Sequence, residues 1–244
     1  MRVIEAAIEL RHRSMAEASD LGVALARSLW PSLWRIFLPV YAAAAVVSLS
    51  SAFLATWLPM LLIFFFKPWL DRTLLFVLSR AVFGQSTTRA DLWRHRKAVW
   101  GSQWFTTFVL WRFSPWRSYV QPVVQLEGQR GRQRRERRRL LLSGWRFSAA
   151  GMQTAFATVE QALMLAILSA IILLMPHDTQ RSVFDWYLYS ESVWGDLLMA
   201  GAYMLVVFVL EPFYVAAGFA MYLNRRVQLE AWDVEQELRR VFPR

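Results

Sequence analysis

Four long apolar runs dominate the pattern of hydrophobic and polar positions along this chain. At about 1.5 Å of rise per helical residue, each run comes close to or exceeds the roughly 30 Å hydrocarbon thickness of a bilayer. The pattern therefore predicts an all-α polytopic membrane protein, with about four transmembrane helices in a single integral membrane domain over residues 1–244. The predicted spans are 36–54, 57–83, 151–175 and 197–223.

The second apolar run contains both charged and helix-breaking positions. Lys67 and Pro68 interrupt it, and Asp71 and Arg72 follow about one turn later. Proline inside a helix removes a hydrogen bond and causes a kink or a break. We adopt one bent helix over 57–83 as the interpretation, and the alternative is a half-helix that ends before Lys67 and is followed by an interfacial helix.

Basic residues are distributed very unevenly between the segments that flank these runs. In this count, the basic residues of the second run are assigned to the segment that follows it. All 28 Lys and Arg residues except Arg181 then fall on one side of the membrane. The positive-inside bias then predicts that both termini are cytoplasmic, N-in and C-in. The layout has a cytoplasmic basic region over 84–150, an external loop over 176–196 and a cytoplasmic tail over 224–244.

Shorter segments between the spans are predicted to lie at the membrane surface. A helix is expected to begin near a cap at Asp20, and Thr88 is expected to begin a basic helix. Residues 99–113 are apolar but too short to cross, which indicates a re-entrant or surface-lying segment. Residues 119–126 contain Pro122 and several valines, which favours a short extended stretch.

Composition favours lipid over water as the solvent for this protein. Hydrophobic residues make up 56% of the chain and aromatic residues 15%, and the mean hydropathy is +0.28. A soluble domain of this composition would expose too much apolar surface. The net charge of +10 is concentrated beside the predicted spans, so anionic lipid headgroups are the expected partner and nucleic acid is the less favoured one.

Residue types that are common in catalytic and metal sites are scarce. The absence of Cys excludes disulfides, thiolate nucleophiles and Cys-ligated metals. His12, His95 and His177 are far apart in the sequence, so no metal or other cofactor is predicted. No nucleophile elbow, P-loop, HExxH or glycine-rich dinucleotide motif is present, and we therefore expect a protein that is not an enzyme.

Charged residues inside the predicted spans form the first candidate site. Ionisable groups in lipid are costly, so each requires a partner or a function. Counted from the cytoplasmic ends of the spans, they lie about 14 to 18 Å deep and could share one layer. That layer could bind a proton, an ion or a lipid headgroup, with Arg72 or Lys67 balancing a carboxylate, or it could be a structural ion-pair cluster. The residues are Asp71, Arg72, Glu160 and Glu211.

Two cytoplasmic segments form the other candidate sites. Residues 130–139 are RGRQRRERRR, and arginine forks suit bidentate contact with phosphate, so this segment is predicted to bind lipid headgroups. The C-terminal tail is predicted to bind a protein partner. The headgroup residues are Arg134, Arg135, Arg137, Arg138 and Arg139, and the partner-binding residues are Trp232, Asp233, Glu235 and Glu237.

Four stretches carry a resemblance to known proteins: SDLGVALARSLWPSLWRIFLPVY, KPWLDRTLLFVLSRAVFG, VVQLEG and EPFYVAAGFAMYLNRRVQLEAWDVEQELRR. With these the chain resembles uncharacterised proteobacterial inner-membrane proteins. More distantly it is similar to the membrane domain of glycerophosphodiester phosphodiesterases and to YciC-type proteins. Neither resemblance implies a catalytic residue in this chain. The resemblance implies a place in the bacterial cytoplasmic membrane and a membrane complex that could include a MoxR-type ATPase system.

Taken together, the patterns predict a non-enzymatic integral membrane subunit or scaffold of a cytoplasmic-membrane complex. Such a protein would contact anionic lipid through its basic region and a protein partner through its tail. The alternative is a small transporter or lipid-handling protein that uses the intramembrane charges as its working site.

Overall fold

Helices joined by short turns make up the part of the chain that the structure describes. The computed structural model describes residues 13–101, 113–174 and 193–230, and within these ranges it contains no strand. The all-α class is thereby confirmed. The helices are α1 (Met15–Ser28), α2 (Trp30–Ser50, continued by a 3-10 turn over Ser51–Phe53), α3 (Leu58–Val82), α4 (Arg89–Arg94), α5 (Arg96–Trp100), α6 (Arg117–Gln125), α7 (Gly131–Leu142), α8 (Arg146–Leu173) and α9 (Val193–Glu230).

Three of these helical segments are long and apolar enough to cross a membrane. They are Trp30–Phe53 with 24 residues, Arg146–Leu173 with 28 and Val193–Glu230 with 38. Each contains most or all of one predicted span and begins before it, because polar and interfacial residues continue the helix past the apolar core. The first, third and fourth apolar runs are therefore helices, as predicted from their composition.

The second apolar run forms the single helix α3, and the alternative of a half-helix ending before Lys67 is wrong. Pro68 lies inside this helix. It lacks a backbone N–H and so removes one hydrogen bond, but the helix continues past it to Val82. Helix α3 is not one of the three segments apolar enough to cross, because Lys67, Asp71 and Arg72 interrupt its apolar residues. Most of α3 from Lys67 to Val82 is buried, which shows that protein and not lipid surrounds this half.

The N-terminal helices run antiparallel to α9. The Asn224 amide donates to the carbonyl of Arg13 at 2.9 Å and accepts from the Arg13 N–H at 3.1 Å. Farther along, the Tyr41 hydroxyl donates to the carbonyl of Met204 at 2.6 Å. These bonds join residues far apart in the chain, and they place α1 and α2 against α9 between Asn224 and Met204.

Helix α1 begins earlier than the sequence pattern indicates. Its N-cap is Ser14, whose hydroxyl accepts from the N–H of Glu17 at 3.1 Å, and the predicted start near Asp20 is wrong. The start of α4 is as predicted, because Thr88 and Asp91 form a reciprocal capping box. Hydrogen bonds from Thr88 also hold the pKa of the Asp91 carboxyl below its usual value.

The short helix α6 replaces the extended stretch that Pro122 and the valines favoured. Residues 117–124 are all buried, mainly against α9 and to a smaller extent against α7 and α3. A buried backbone has no water to bond, and a helix satisfies most of its N–H and C=O groups within the segment. Burial therefore decides the conformation of this segment against its local preference. Of the predicted re-entrant segment 99–113, residues 102–112 lie outside the described residues.

Helix α8 is the most open of the long helices. Its buried residues are Ala149, Met152 and Met164, and only 6% of its most apolar stretch is buried. Large apolar side chains such as Leu165 and Leu173 are mainly exposed. An exposed apolar surface of this length is typical of a helix that faces lipid.

Substituting Gly22 by Ala is expected to loosen the contact between α1 and α9. A Cβ at Gly22 would overlap the carbonyl oxygen of Ala216 and lie 2.6 Å from the Cα of Ala217, so the helices must separate. Overpacking of this kind costs about 1–3 kcal/mol. Gly201 of α9 is the matched control because a Cβ there meets nothing within 4 Å. Thermal unfolding in detergent should show a lower midpoint for Gly22→Ala than for Gly201→Ala, and equal midpoints would contradict this packing.

Candidate functional site

Five charged side chains from four helices meet inside the protein, and we call them the charge cluster. The side chains are only 0–4% exposed except for Glu160, which is 13% exposed. Ions removed from water to this degree are stable only when opposite charges or hydrogen bonds replace the water. The members are Lys67 and Asp71 of α3, Arg117 of α6, Glu160 of α8 and Glu211 of α9.

Lys67 joins α3 to the two long helices α8 and α9. Its Nζ donates to Glu160 Oε2 at 2.6 Å and lies 3.0 Å from Glu211 Oε2. A single ammonium thereby contacts carboxyl groups from two different helices. The Nζ also lies 6.0 Å from the ring centroid of Tyr203, which adds the negative face of an aromatic ring to its surroundings.

Arg117 joins α6 to α3 and α9. Its Nε lies 2.7 Å from Asp71 Oδ2, and its Nη2 donates to Glu211 Oε1 at 2.5 Å. The guanidinium also lies 4.9 Å from the ring centroid of Tyr214. Arg117 is 1% exposed, so these contacts replace its water shell and hold α6 within the helix packing.

Three of the four residues predicted for the intramembrane layer meet in this cluster, and Arg72 does not. Arg72 lies next to Asp71 in sequence but about 100° further around α3, because an α-helix has 3.6 residues per turn. Its Nη1 instead donates to the carbonyl of Val99 at 3.3 Å, and its own carbonyl accepts from Gln125 at 2.7 Å. Lys67, which the sequence offered as a counter-ion, occupies that role.

Sequence reasoning missed Arg117 as a member of the cluster. Arg117 lies between the apolar segment 99–113 and Pro122, outside every predicted span, so the pattern assigns it no place in the intramembrane layer. One signal was available: three predicted carboxylates require more positive charge than Lys67 supplies. The identity of the second cation depends on how α6 folds back against α9, which no local pattern contains.

A cavity of about 530 Å³ lies where α7 meets the start of α8, and we call it the arginine pocket. Five guanidinium groups line it together with Trp116, the residue before α6. Trp116 donates from Nε1 to the carbonyl of Arg146 at 3.0 Å, and the guanidinium of Arg138 lies 5.4 Å from its ring centroid. The five arginines are Arg134, Arg135, Arg138, Arg139 and Arg146.

The pocket contains four of the five residues predicted to bind headgroups, and Arg137 is not one of those that line it. Arg137 donates to Glu127 at 2.9 Å through Nε and to Glu230 at 2.5 Å through Nη2. The hydrogen bonds that Arg137 donates to Glu127 and to Glu230 hold the pKa of Arg137 above its usual value. Arg137 thus attaches α7 to the end of α9, while its neighbours on α7 line the pocket.

The electrostatics of the pocket favour an anion. No Asp or Glu occurs among its described lining residues, so the lining carries a strong positive charge. Partial burial and the neighbouring charge of Arg138 lower the pKa of Arg134. A bound anion would relieve this repulsion among like charges. Arg146 was outside the predicted headgroup set because it follows the polybasic run and begins the next helix.

No family model matches the chain, and no curated protein or solved structure matches it either. The resemblance to proteobacterial inner-membrane proteins therefore stays a prediction. The predicted partner-binding residues of the tail lie outside the described residues, so their role is also a prediction. These residues are Trp232, Asp233, Glu235 and Glu237.

Removing Arg117 is expected to destabilise the protein strongly. Arg117→Met leaves the buried carboxyls of Asp71 and Glu211 without their shared cation, and breaking a buried pair in this way costs about 3–5 kcal/mol. Arg132 is the matched control, because its pair with Glu136 is exposed and such pairs contribute little. Chemical denaturation in detergent should show a large loss for Arg117→Met and almost none for Arg132→Met. A similar small effect of both changes would show that the cluster does not hold the helices.

Proposed function

We propose that this protein is a non-enzymatic integral subunit or scaffold of a cytoplasmic-membrane complex, and that the arginine pocket holds the headgroup of an anionic lipid. The observation that carries the proposal is the cavity lined by five arginines. Such a concentration of like charge is unfavourable by itself, so a ligand that supplies several negative oxygens fits it best.

Phosphate is the anion that the pocket suits by geometry. A guanidinium group presents donors in a planar fork that matches two phosphate oxygens, and each charge-assisted hydrogen bond contributes about 1.5–3 kcal/mol. Trp116 gives the pocket one flat apolar wall beside Arg138. This combination favours a phosphate attached to a glycerol or similar group over a bare ion.

The position of the pocket favours a lipid over a soluble phosphate compound. Arg146 is the first residue of α8, whose 28 residues are about 42 Å long and exceed the hydrocarbon thickness of roughly 30 Å. The first turns of α8 would then lie in the headgroup layer. The next residue, Phe147, is 94% exposed, and the apolar surface of α8 continues from there. A headgroup in the pocket would leave its acyl chains along α8.

The topology that fits this position has four crossings with both termini in the cytoplasm of a bacterial cell. Helix α3 packs against α2 after a short turn, which supports a return across the membrane. The hydroxyl of Thr56 in that turn donates to Asp196 near the start of α9 and places the two at one level. The charges of α3 do not oppose a crossing, because the charge cluster neutralises Lys67 and Asp71 internally.

Neutralising the pocket is expected to weaken the binding of anionic lipid. The variant Arg138→Gln with Arg139→Gln removes two lining guanidiniums, and the loss of even one charge-assisted bond lowers affinity about tenfold or more. The control is Arg130→Gln with Arg132→Gln, which changes the net charge equally at positions that do not line the pocket. Native mass spectrometry of the detergent-solubilised protein with added phosphatidylglycerol should show fewer bound lipids for the pocket variant alone.

Two controls separate this site from general attraction between charges. Phosphatidylcholine should bind equally weakly to both variants and to the wild type. Inorganic phosphate should compete with phosphatidylglycerol only poorly, because it has no acyl chains to lie along α8. An equal loss of lipid in both variants would exclude the pocket as a specific site, and strong competition by phosphate would indicate a soluble ligand.

The scaffold part of the proposal predicts a protein partner for the tail. Purification from native membranes in mild detergent should recover a stoichiometric membrane-complex component with the wild type, with a MoxR-type ATPase among the candidates. A variant with Trp232→Ala, Glu235→Gln and Glu237→Gln should lose that component while retaining bound anionic lipid. Recovery of the protein alone from wild-type membranes would contradict the scaffold role, whatever the outcome for lipid.

A further inference from the structure

The charge cluster contains more acids than bases. Asp71, Glu160 and Glu211 supply three carboxyl groups, whereas Lys67 and Arg117 supply two cations. If every group were ionised, the cluster would carry one uncompensated negative charge. Asp71 is 0% exposed and the Glu211 side chain 2% exposed, so water is not available to stabilise that charge.

The carboxyl groups of Asp71 and Glu211 contact the same guanidinium group, because Arg117 Nε lies 2.7 Å from Asp71 Oδ2 and Arg117 Nη2 lies 2.5 Å from Glu211 Oε1. Two carboxyl groups held on one guanidinium away from water repel each other when both are ionised, so a proton on one of them is favoured. Both carboxyl oxygens of Asp71 are buried and neither receives a hydrogen bond from a described donor, although Arg117 Nε forms an ion pair with Oδ2 at 2.7 Å. A proton on one of the two carboxyl groups would remove this repulsion and supply Asp71 or Glu211 with a hydrogen-bond donor.

We propose that Asp71 and Glu211 form a buried proton-binding site, in which the two carboxyl groups share one exchangeable proton. The bound proton makes the cluster neutral, because two cations then face two negative charges. Paired carboxyls that share a proton occur where like charges are held too close for both to ionise. The site therefore takes H⁺ as its ligand and has no need of a metal ion.

The groups around this pair come from every helix that packs against it. Lys67 of α3 and Arg117 of α6 contact the carboxyls from two sides, and Glu160 of α8 binds the other side of Lys67. From α2, the Tyr41 hydroxyl bonds the carbonyl of Met204 and not a carboxyl. From α9, Tyr214 stacks on Arg117, and its hydroxyl donates to Gln153 of α8. None of these neutral neighbours can supply the missing charge.

The shared proton is held because the cluster has one more acid than it has bases. Substitutions that remove one acid therefore test the proposal. Asp71→Asn or Glu211→Gln removes one partner and also restores the balance of two acids with two bases. Glu160→Gln removes the third acid from outside the pair, after which both Asp71 and Glu211 can ionise against the two cations. All three changes are nearly isosteric, and all should therefore release the proton without removing a cation.

Infrared spectroscopy of the purified wild-type protein in lipid nanodiscs measures the proton directly. A protonated carboxyl has a C=O stretch separate from that of a carboxylate, and exchange into D₂O shifts it. We expect this band at neutral pH in the wild type and its loss in Asp71→Asn and in Glu211→Gln. In Glu160→Gln the band should persist only at lower pH than in the wild type.

Glu127→Gln is the control, because Glu127 is a partly buried carboxylate that bonds Arg137 and lies outside the cluster. It should leave the band unchanged. The wild-type spectrum decides the question even if a variant fails to fold, since no such band at neutral pH would overturn the proposal. A band that persists unchanged in both Asp71→Asn and Glu211→Gln would also overturn it, because the proton would then belong to another carboxyl.

Discussion

The packing of this protein depends on the neutralisation of charge in a place that water does not reach. Arg117 and Lys67 each contact two carboxyl groups, and together they connect α3, α6, α8 and α9. A helix that moved away from this point would leave a buried ion without its partner. The cluster therefore constrains the relative positions of helices whose apolar surfaces alone would allow many arrangements. It also explains why eight of the nine residues of α6 are buried beside much longer helices.

The arginine pocket depends on a second, more exposed set of ion pairs. Glu127 accepts from Arg137 and from the Tyr222 hydroxyl, and Glu230 accepts from Arg137 and Arg226. These contacts fix the rotation of α7 about its own axis. Arg134 and Arg138 are four residues apart, as are Arg135 and Arg139, so these four side chains lie on neighbouring parts of one face of α7. With Arg137 attached to Glu127 and Glu230, that face is turned toward the start of α8. A sequence of consecutive arginines becomes a pocket only through this orientation.

The sequence predicted the features that arise from local pattern. Hydropathy and length identify the long helices, and Thr88 with Asp91 identifies a helix start, because each signal lies within a few residues. The free-energy cost of placing charge in lipid also led to the prediction that Asp71, Glu160 and Glu211 share one layer. The helix at Arg117 and the orientation of α7 could not be predicted in the same way. They depend on contacts between residues far apart in the chain, and there burial overrides the local preference of Pro122 and its neighbours.

The antiparallel contact of α1 with α9 has a consequence for the order of assembly. Arg13 and Asn224 are bonded across a separation of 211 positions, so α1 leaves the ribosome long before its main partner exists. During that interval its apolar residues, including Leu25 and Ala26, lack the surface that buries them in the finished protein. Long-range contacts of this kind form late and leave intermediates exposed to aggregation. The first described helix is thus among the last to reach its final place, and until then the membrane surface or a chaperone must shield it.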